Sequence, residues 1–301
     1  HIEKLASAGF NRISVGVQDF DPVVQLAINR VQSFEQTKQV IDWARKYHYS
    51  SINIDLIYGL PRQTIDSVKN SVSRIMELMP ERIAFYSYAH VPWKSKGQRG
   101  FTDEDLPVAA QKWEMYYMGR QLLEAAGFIS IGMDHFALRK DKLFVAAESG
   151  GLHRNFMGYT TTKSKLIIGL GVSAISDSWN AFVQNEKVVE VYEEKIKLGI
   201  LPLVNGHLLS GEDLVIRKKI LELMCENKTS IDNAIVDPGF LESVFSKLGL
   251  LQADGLVIID GENIRVTKKG ASFIRNISAA IDAHLWRNES NQSANTFSKA
   301  I

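Results

Sequence analysis

The stretch Asn53–Pro61, NIDLIYGLP, decides the fold. Ile54, Leu56 and the Ile57-Tyr58 pair supply the short apolar, β-branched run of a buried parallel strand, and Gly59-Leu60-Pro61 ends it abruptly. Asp55 is the anomaly. A carboxylate inside such a run is costly unless it is paired or turned toward a ligand, so it belongs either to a buried structural pair or to a pocket. Pockets form at the carboxyl ends of barrel strands.

Outward from this strand the chain alternates. Ile2 to Ala8 reads as a helix stopped by Gly9, and Arg12 to Val17 as a strand. Ser33 with Gln36 forms a capping-box pattern ahead of a helix that ends near Tyr47. Thr64 caps a helix carrying Val68, Val72, Ile75 and Leu78, and Arg82 to Tyr88 is the third strand. Strand, helix, strand, helix, strand at this spacing argues right-handed βαβ units and a parallel sheet.

Beyond Tyr88 the segment AHVPWKSKGQRGF is too polar and too rich in Pro and Gly for regular structure, which makes it a candidate active-site loop. Pro107 to Ala126 reads as a helix with Trp113, Tyr116, Tyr117, Leu122 and Leu123 on its apolar positions, followed by a short strand from Phe128 to Ile131. Leu152 to Thr162 and Ile167 to Ser176 show neither helical nor strand period. Composition shifts near Leu203–Gly206, so residues 1–204 are expected to form a partial (β/α) TIM-like barrel and 205–301 a mostly helical second domain. In the latter, Ser210 and Asp213 cap a helix through Met224, and a second helix is expected from about Ser230. A hairpin follows at Leu256–Val266, then a helix capped by Thr267, an order that resembles a winged helix. The polar end from Arg287 is expected to fray.

Composition narrows the function classes. The 301 residues are 45% hydrophobic and 23% charged, as in a globular protein with a sizeable core. Lys and Arg total 35 against 34 Asp and Glu, leaving no electrostatic footprint for nucleic acid, so the winged-helix-like end is not read as a nucleic-acid module. No apolar run approaches a membrane span, and a cytoplasmic setting is the expectation. Cys225, the single cysteine, sits in the apolar setting LELMCEN and reads as a small hydrophobe. The chain starts inside a helix-like pattern without an initiator Met, which leads us to expect a longer protein and, in a half barrel, exposed strand edges that favour self-association.

Several side chains are candidates for chemistry, each with a plain structural alternative. Gln18, in GVQDF at the end of the first strand, offers a donor and an acceptor, or is merely solvated. Arg30 can grip a carboxylate or lie on the surface. His90 and Arg99 lie in the irregular segment, where Arg99 could hold an anion. Asp134-His135 is either half of an acid–base arrangement or a satisfied pair, and His153-Arg154-Asn155 repeats the ambiguity. Metal-ligand spacing is absent: there is no Cys pair and no HExxH, and the histidines are scattered at His1, His48, His90, His135, His153, His207 and His284. Gly169-Leu170-Gly171 lacks the rest of a dinucleotide fingerprint.

The motifs GVQDF (16–20), INR (28–30), NIDLIYGLP (53–61), YAHVP (88–92) with Gln98-Arg99, GMDHFA (132–137), LHRNFMGYTT (152–161) and GVSAIS (171–176) occur in order. Together they resemble the oxygen-independent coproporphyrinogen III oxidases, radical S-adenosylmethionine enzymes. GMDHFA and LHRNFMGYTT are the specific part, because heme-chaperone paralogues share GVQDF and NIDLIYGLP; such a heme-binding relative without decarboxylase activity is the alternative reading.

The resemblance implies a radical S-adenosylmethionine barrel that converts two propionates of coproporphyrinogen III into the vinyl groups of protoporphyrinogen IX through a 5′-deoxyadenosyl radical, in heme biosynthesis. It implies two S-adenosylmethionine molecules, a [4Fe-4S] cluster in the full-length protein and an external electron donor. It places Gln18, Arg30, Asp55, Ala89 and Ile175 on the nucleotide, and makes Arg99, His135, Arg154 and Tyr159 candidates for the tetrapyrrole substrate. Two departures stand out. The family's CxxxCxxC cluster loop does not occur here, so this chain with Cys225 alone is expected to be inactive. Met157 stands where the family's NFQGYTT pattern carries Gln, and a thioether does not replace an amide's hydrogen bonds.

Overall fold

The computed structural model describes residues 1–231 and 238–289. They fall into two compact units, 1–148 and 149–290. The boundary expected at 204/205 would cut a strand, Leu203–Leu208, which is paired with residues upstream of it.

In the first unit, α1 (Ile2–Ser7) leads into β1 (Arg12–Gln18), α2 (Pro22–Ala27), α3 (Phe34–Lys46), β2 (Ser51–Tyr58), α4 (Ile65–Leu78) and β3 (Arg82–Ser87). Ser33 and Thr64 cap α3 and α4 where the sequence places them, and at Thr64 too the cap is a full box. Ser33 Oγ accepts from Gln36 N at 3.1 Å while Gln36 Oε1 accepts from Ser33 N at 3.0 Å, and Thr64 and Ser67 reciprocate in the same way. Strands β1, β2 and β3 are parallel neighbours in that order, as the βαβ spacing requires.

The sheet continues differently after α5 (Ala109–Ala125). The strand expected after Phe128 is β4 (Ile129–Gly132), and GMDH turns it into β5 (His135–Ala137), with α6 (Lys142–Glu148) closing the unit. The five-stranded order is β1-β2-β3-β5-β4, with β5 antiparallel to both its neighbours. A hairpin thus stands where continued βαβ units would have added a parallel strand. Met133 supplies the turn with φ 48°.

The core lies on one face of this sheet. Ile52, Ile54, Leu56 and Tyr58 of β2 pack with Ile41 of α3, Ile75 of α4 and Leu123 of α5. Each such buried side chain contributes about 1.5–3 kcal/mol by removal from water. In α5 the buried residues are Met115, Tyr116, Gly119 and Leu123; Trp113 and Tyr117, expected on its apolar face, are 36% and 54% exposed. The reason is Gly119. A Cβ there would lie 2.6 Å from the Phe85 ring, so the helix turns the bare backbone of Gly119, with Tyr116 beside it, to the sheet and leaves Trp113 and Tyr117 outside.

The second unit holds the hairpin β6 (His153–Asn155) and β7 (Gly158–Thr160), then β8 (Ile175–Asp177), β9 (Ala181–Asn185), α7 (Val189–Lys197) and β10 (Leu203–Leu208), with sheet order β10-β9-β8. Within Leu152–Thr162, expected to be irregular, residues 153–160 therefore form a hairpin; three-residue strands are too short to show a period. Next come α8 (Gly211–Glu226), begun by the Ser210/Asp213 capping box, β11 (Lys228–Ser230), α9 (Pro238–Ala253), and the wing β12 (Val257–Asp260) and β13 (Asn263–Val266). Ser230 ends a strand rather than starting a helix, because Lys228–Ser230 pairs with β13. Residues 232–237 of the expected second helix lie outside the described residues. Thr267 Oγ1 accepts from Gly270 N at 2.9 Å and opens a short 3-10 turn into α10 (Ile274–Ala279), followed by α11 (Ala283–Glu289). The winged-helix-like order of helix, strand, helix and hairpin is present. The tail expected to fray lies outside the described residues from 290 onward. Among the described residues no helix is long and apolar enough to cross a membrane.

Candidate functional site

Side chains alternate across a strand, so Ser14, Asn53 and Asp55 lie on the face of the first unit's sheet opposite its helix layer. Register builds a row across this face: Gly16 is opposite Asp55, Asp55 opposite Ala84, and Ala84 opposite His135. The small residues Gly16 and Ala84 leave room beside the carboxylate. His135 closes the row and stands edge-on to the Tyr86 ring, with centroids 5.9 Å apart.

Asp55 is half-buried and held from two sides. Ser14 Oγ donates to its carboxylate at 3.2 Å, and Asn53 Nδ2 donates to Oδ1 at 2.6 Å and to Ser14 Oγ at 2.9 Å. Burial pushes the Asp55 carboxyl above its ordinary value; the Ser14 and Asn53 hydrogen bonds and the Arg30 charge pull the other way without reversing it. Asn53 Oδ1 is buried with no hydrogen-bond partner among the described residues, an open acceptor beside the carboxylate.

The end of β1 brings the next two predicted residues to this corner. The ladder is irregular between Gly16 and Gln18, and Gln18 adopts φ 68°. Arg30 follows α2, whose N-cap Asp21 accepts from Val23 and Val24 N, and its Nη2 donates to Gly16 O at 2.7 Å. A Cβ on Gly16 would lie 2.7 Å from Gln18 Nε2 and 3.2 Å from Arg30 Nη2, so both side chains converge over that bare position. The structure thus gathers Gln18, Arg30 and Asp55.

Ala89 follows β3, and its carbonyl accepts from Gln98 Nε2 at 3.2 Å. The segment after it is tied by its own side chains: Gln98 Oε1 accepts from Val91 N at 2.6 Å, and His90 Nδ1 lies 2.7 Å from Asp103 Oδ1. Arg99 donates Nε to Pro92 O at 3.0 Å on an exposed surface. The second unit carries the remaining candidates. Ile175 opens β8. Arg154 and Tyr159 are cross-strand partners in the β6–β7 hairpin, with the guanidinium 4.8 Å from the ring centroid. The Tyr159 hydroxyl donates to Met224 O at 2.8 Å, and Arg154 Nη1 is buried without a hydrogen-bond partner among the described residues. Met157 is 72% exposed.

Sequence reasoning missed Ser14, Asn53 and Tyr86. A period-2 count outward from Asp55 would have placed Asn53 on its face, since strand faces repeat every second residue.

Donor chemistry separates two cofactor types. The open Asn53 Oδ1, the Asp55 carboxylate, the Gln18 amide and the Arg30 guanidinium suit a nucleoside with donating hydroxyl and amine groups and an anionic end. An iron–sulfur cluster needs several thiolates, and Cys225 is the single cysteine of the chain. Burial pushes its thiol up to about 11, away from the thiolate.

A Radical SAM superfamily profile matches residues 1–75. An oxygen-independent coproporphyrinogen III oxidase of Thermostichus vulcanus is 40% identical over 301 residues, covering 97% of this chain and 91% of that protein. Its namesake in Synechocystis is 38% identical over 100% of this chain and 66% of its own length. The solved structure of coproporphyrinogen III oxidase HemN from Escherichia coli, described as a radical SAM enzyme, superposes with a TM-score of 0.88 at 38% identity, over 94% of this chain and 66% of that one. The chain thus spans about two thirds of the length of several relatives that it matches.

Proposed function

We propose a function on one premise: the chain belongs to the oxygen-independent coproporphyrinogen III oxidase family, and the complete protein oxidatively decarboxylates coproporphyrinogen III to protoporphyrinogen IX. Two propionates become vinyl groups, each losing carbon dioxide, one hydrogen atom and one electron. Membership implies S-adenosylmethionine and an iron–sulfur cluster as cofactors. When bound, S-adenosylmethionine supplies the abstraction of that hydrogen. Two molecules of it per chain, and an external electron donor, are part of the proposal.

This chain's own contribution is to bind and orient. The observation that carries the reading is the Ser14–Asn53–Asp55 hydrogen-bonded set with Arg30 beside it on the open face of the sheet. Asp55 accepts from nucleoside hydroxyls, Gln18 and Arg30 meet the polar remainder, and the Ala89 carbonyl lies at the end of β3. Ile175 is assigned on resemblance alone. For the substrate carboxylates, Arg154 is the favoured contact: the Tyr159 ring holds its guanidinium and Nη1 is left open. Arg99 and His135 are the further candidates.

No step is assigned to the cluster in this chain, whose residues do not fit one. The test is iron–sulfur reconstitution of the full-length protein followed by product analysis on coproporphyrinogen III. Vinyl products support the proposal; turnover-free binding of heme in their place overturns it.

A further inference from the structure

His207 and His284, far apart in sequence, meet on one carboxylate. His207 lies in β10, Asp213 in the first turn of α8 and His284 in α11. One potential ligand atom from each lies within 4.8 Å of the other two, the one such three-residue group among the described residues. His284 Nε2 is 2.6 Å from Asp213 Oδ1, and His207 Nε2 is 4.0 Å from Oδ2. The imidazoles are close to perpendicular, at 83° with centroids 5.8 Å apart, so they approach the carboxylate from different directions.

We propose that His207, Asp213 and His284 form a zinc site in the second unit, with water completing a tetrahedral shell. Bonds of about 2.0–2.2 Å in a tetrahedral shell set the ligand atoms about 3.3 Å apart, between the two separations found here. The carboxylate is already oriented: Asp213 is 9% exposed, and its Oδ2 accepts from Ser210 N at 2.8 Å and Ser210 Oγ at 2.9 Å, leaving Oδ1 to His284, while His207 approaches from the Oδ2 side. The two histidines are about half exposed, so an ion can enter from solvent. Imidazole and carboxylate donors without thiolate suit zinc among the abundant divalent ions, while magnesium and calcium prefer oxygen alone. The ion takes the place of the direct contact between His284 Nε2 and Asp213 Oδ1. It ties β10, the start of α8 and α11 together, a structural role independent of the nucleotide-binding proposal.

The test is calorimetric titration of the metal-free 301-residue chain with zinc chloride, with cobalt(II) as an absorbing substitute. One zinc per chain, tetrahedral cobalt bands, and a melting temperature raised by about 5 °C or more at a hundredfold excess over Kd support the site. His207→Ala and His284→Ala each weaken zinc binding at least tenfold, while His48→Asn, at an exposed histidine in the first unit, leaves it unchanged. The proposal is overturned if the wild-type chain shows no stoichiometric binding, or if the two alanine variants, shown folded by circular dichroism, bind zinc as tightly as wild type.

Discussion

Gln63 donates Nε2 to Asp19 Oδ2 at 2.6 Å, joining the turn after β2 to the loop after β1 through two buried side chains. Gln63 Oε1 also accepts from Gly59 N at 2.6 Å, and Asp19 accepts from Ser71 Oγ at 2.8 Å and Asp21 N at 2.7 Å. The loop that presents Gln18 is therefore fixed from behind. Gln63→Met removes one donor from a buried carboxylate and should lower stability by roughly 1–3 kcal/mol, read as a shift in urea midpoint with unchanged slope.

Asp19 also sets a pH dependence. Burial pushes its folded-state carboxyl above the usual value, against the pull of its Asp21, Gln63 and Ser71 hydrogen bonds. The folded chain therefore holds this proton more tightly than the unfolded one. The associated stability is fully present below about pH 4 and lost as pH rises through the folded value. Urea midpoints across that range should fall with pH in the wild type and flatten in Asp19→Asn.

Gly119→Ala places a Cβ against the buried Phe85 ring and should cost about 1–3 kcal/mol through overpacking. Adding Phe85→Leu should recover part of the loss. Equal, additive losses in the double variant would show that the two positions do not share that contact.

Asp55→Asn should weaken S-adenosylmethionine binding about tenfold or more, with the melting temperature little changed, because a charged acceptor is replaced by an amide. The wild-type carboxyl titrates above its ordinary value, so affinity should rise with pH as it deprotonates, and the variant should lose that dependence. Calorimetric titration between about pH 4 and 7 checks both.

Cys225 should react slowly with alkylating reagents. With its thiol pushed up to about 11, roughly one part in a thousand is thiolate at pH 8. Mass-spectrometric alkylation rates should rise steeply when the chain is unfolded in urea.

The first unit's strands and caps were legible because their signals are local: an apolar run ended by Gly-Leu-Pro, or Ser33 three residues ahead of Gln36. Asp55 stood out because a carboxylate in that run demands a reason. Its partners Ser14 and Asn53 did not, since small polar residues in a strand carry no cost that betrays them. Strand β4 was legible after Phe128, but its return strand β5 was hidden because three residues barely establish a period. The buried Asp19–Gln63 link depends on two loops meeting, which neither loop encodes alone. The same holds for His207 and His284, whose wide separation reads as scatter until the fold closes around Asp213.

Gln18 shows what the corner costs. A left-handed backbone is about 1–2 kcal/mol unfavourable for a residue with a Cβ, and Gln18 holds φ 68° at the ladder's irregular step. Glycine there would relieve the strain and harden the molecule against heat, while deleting the amide proposed to meet the nucleoside. Selection for endurance and selection for recognition therefore pull this position in opposite directions, and a directed-evolution screen scored on survival alone would drift away from the native glutamine.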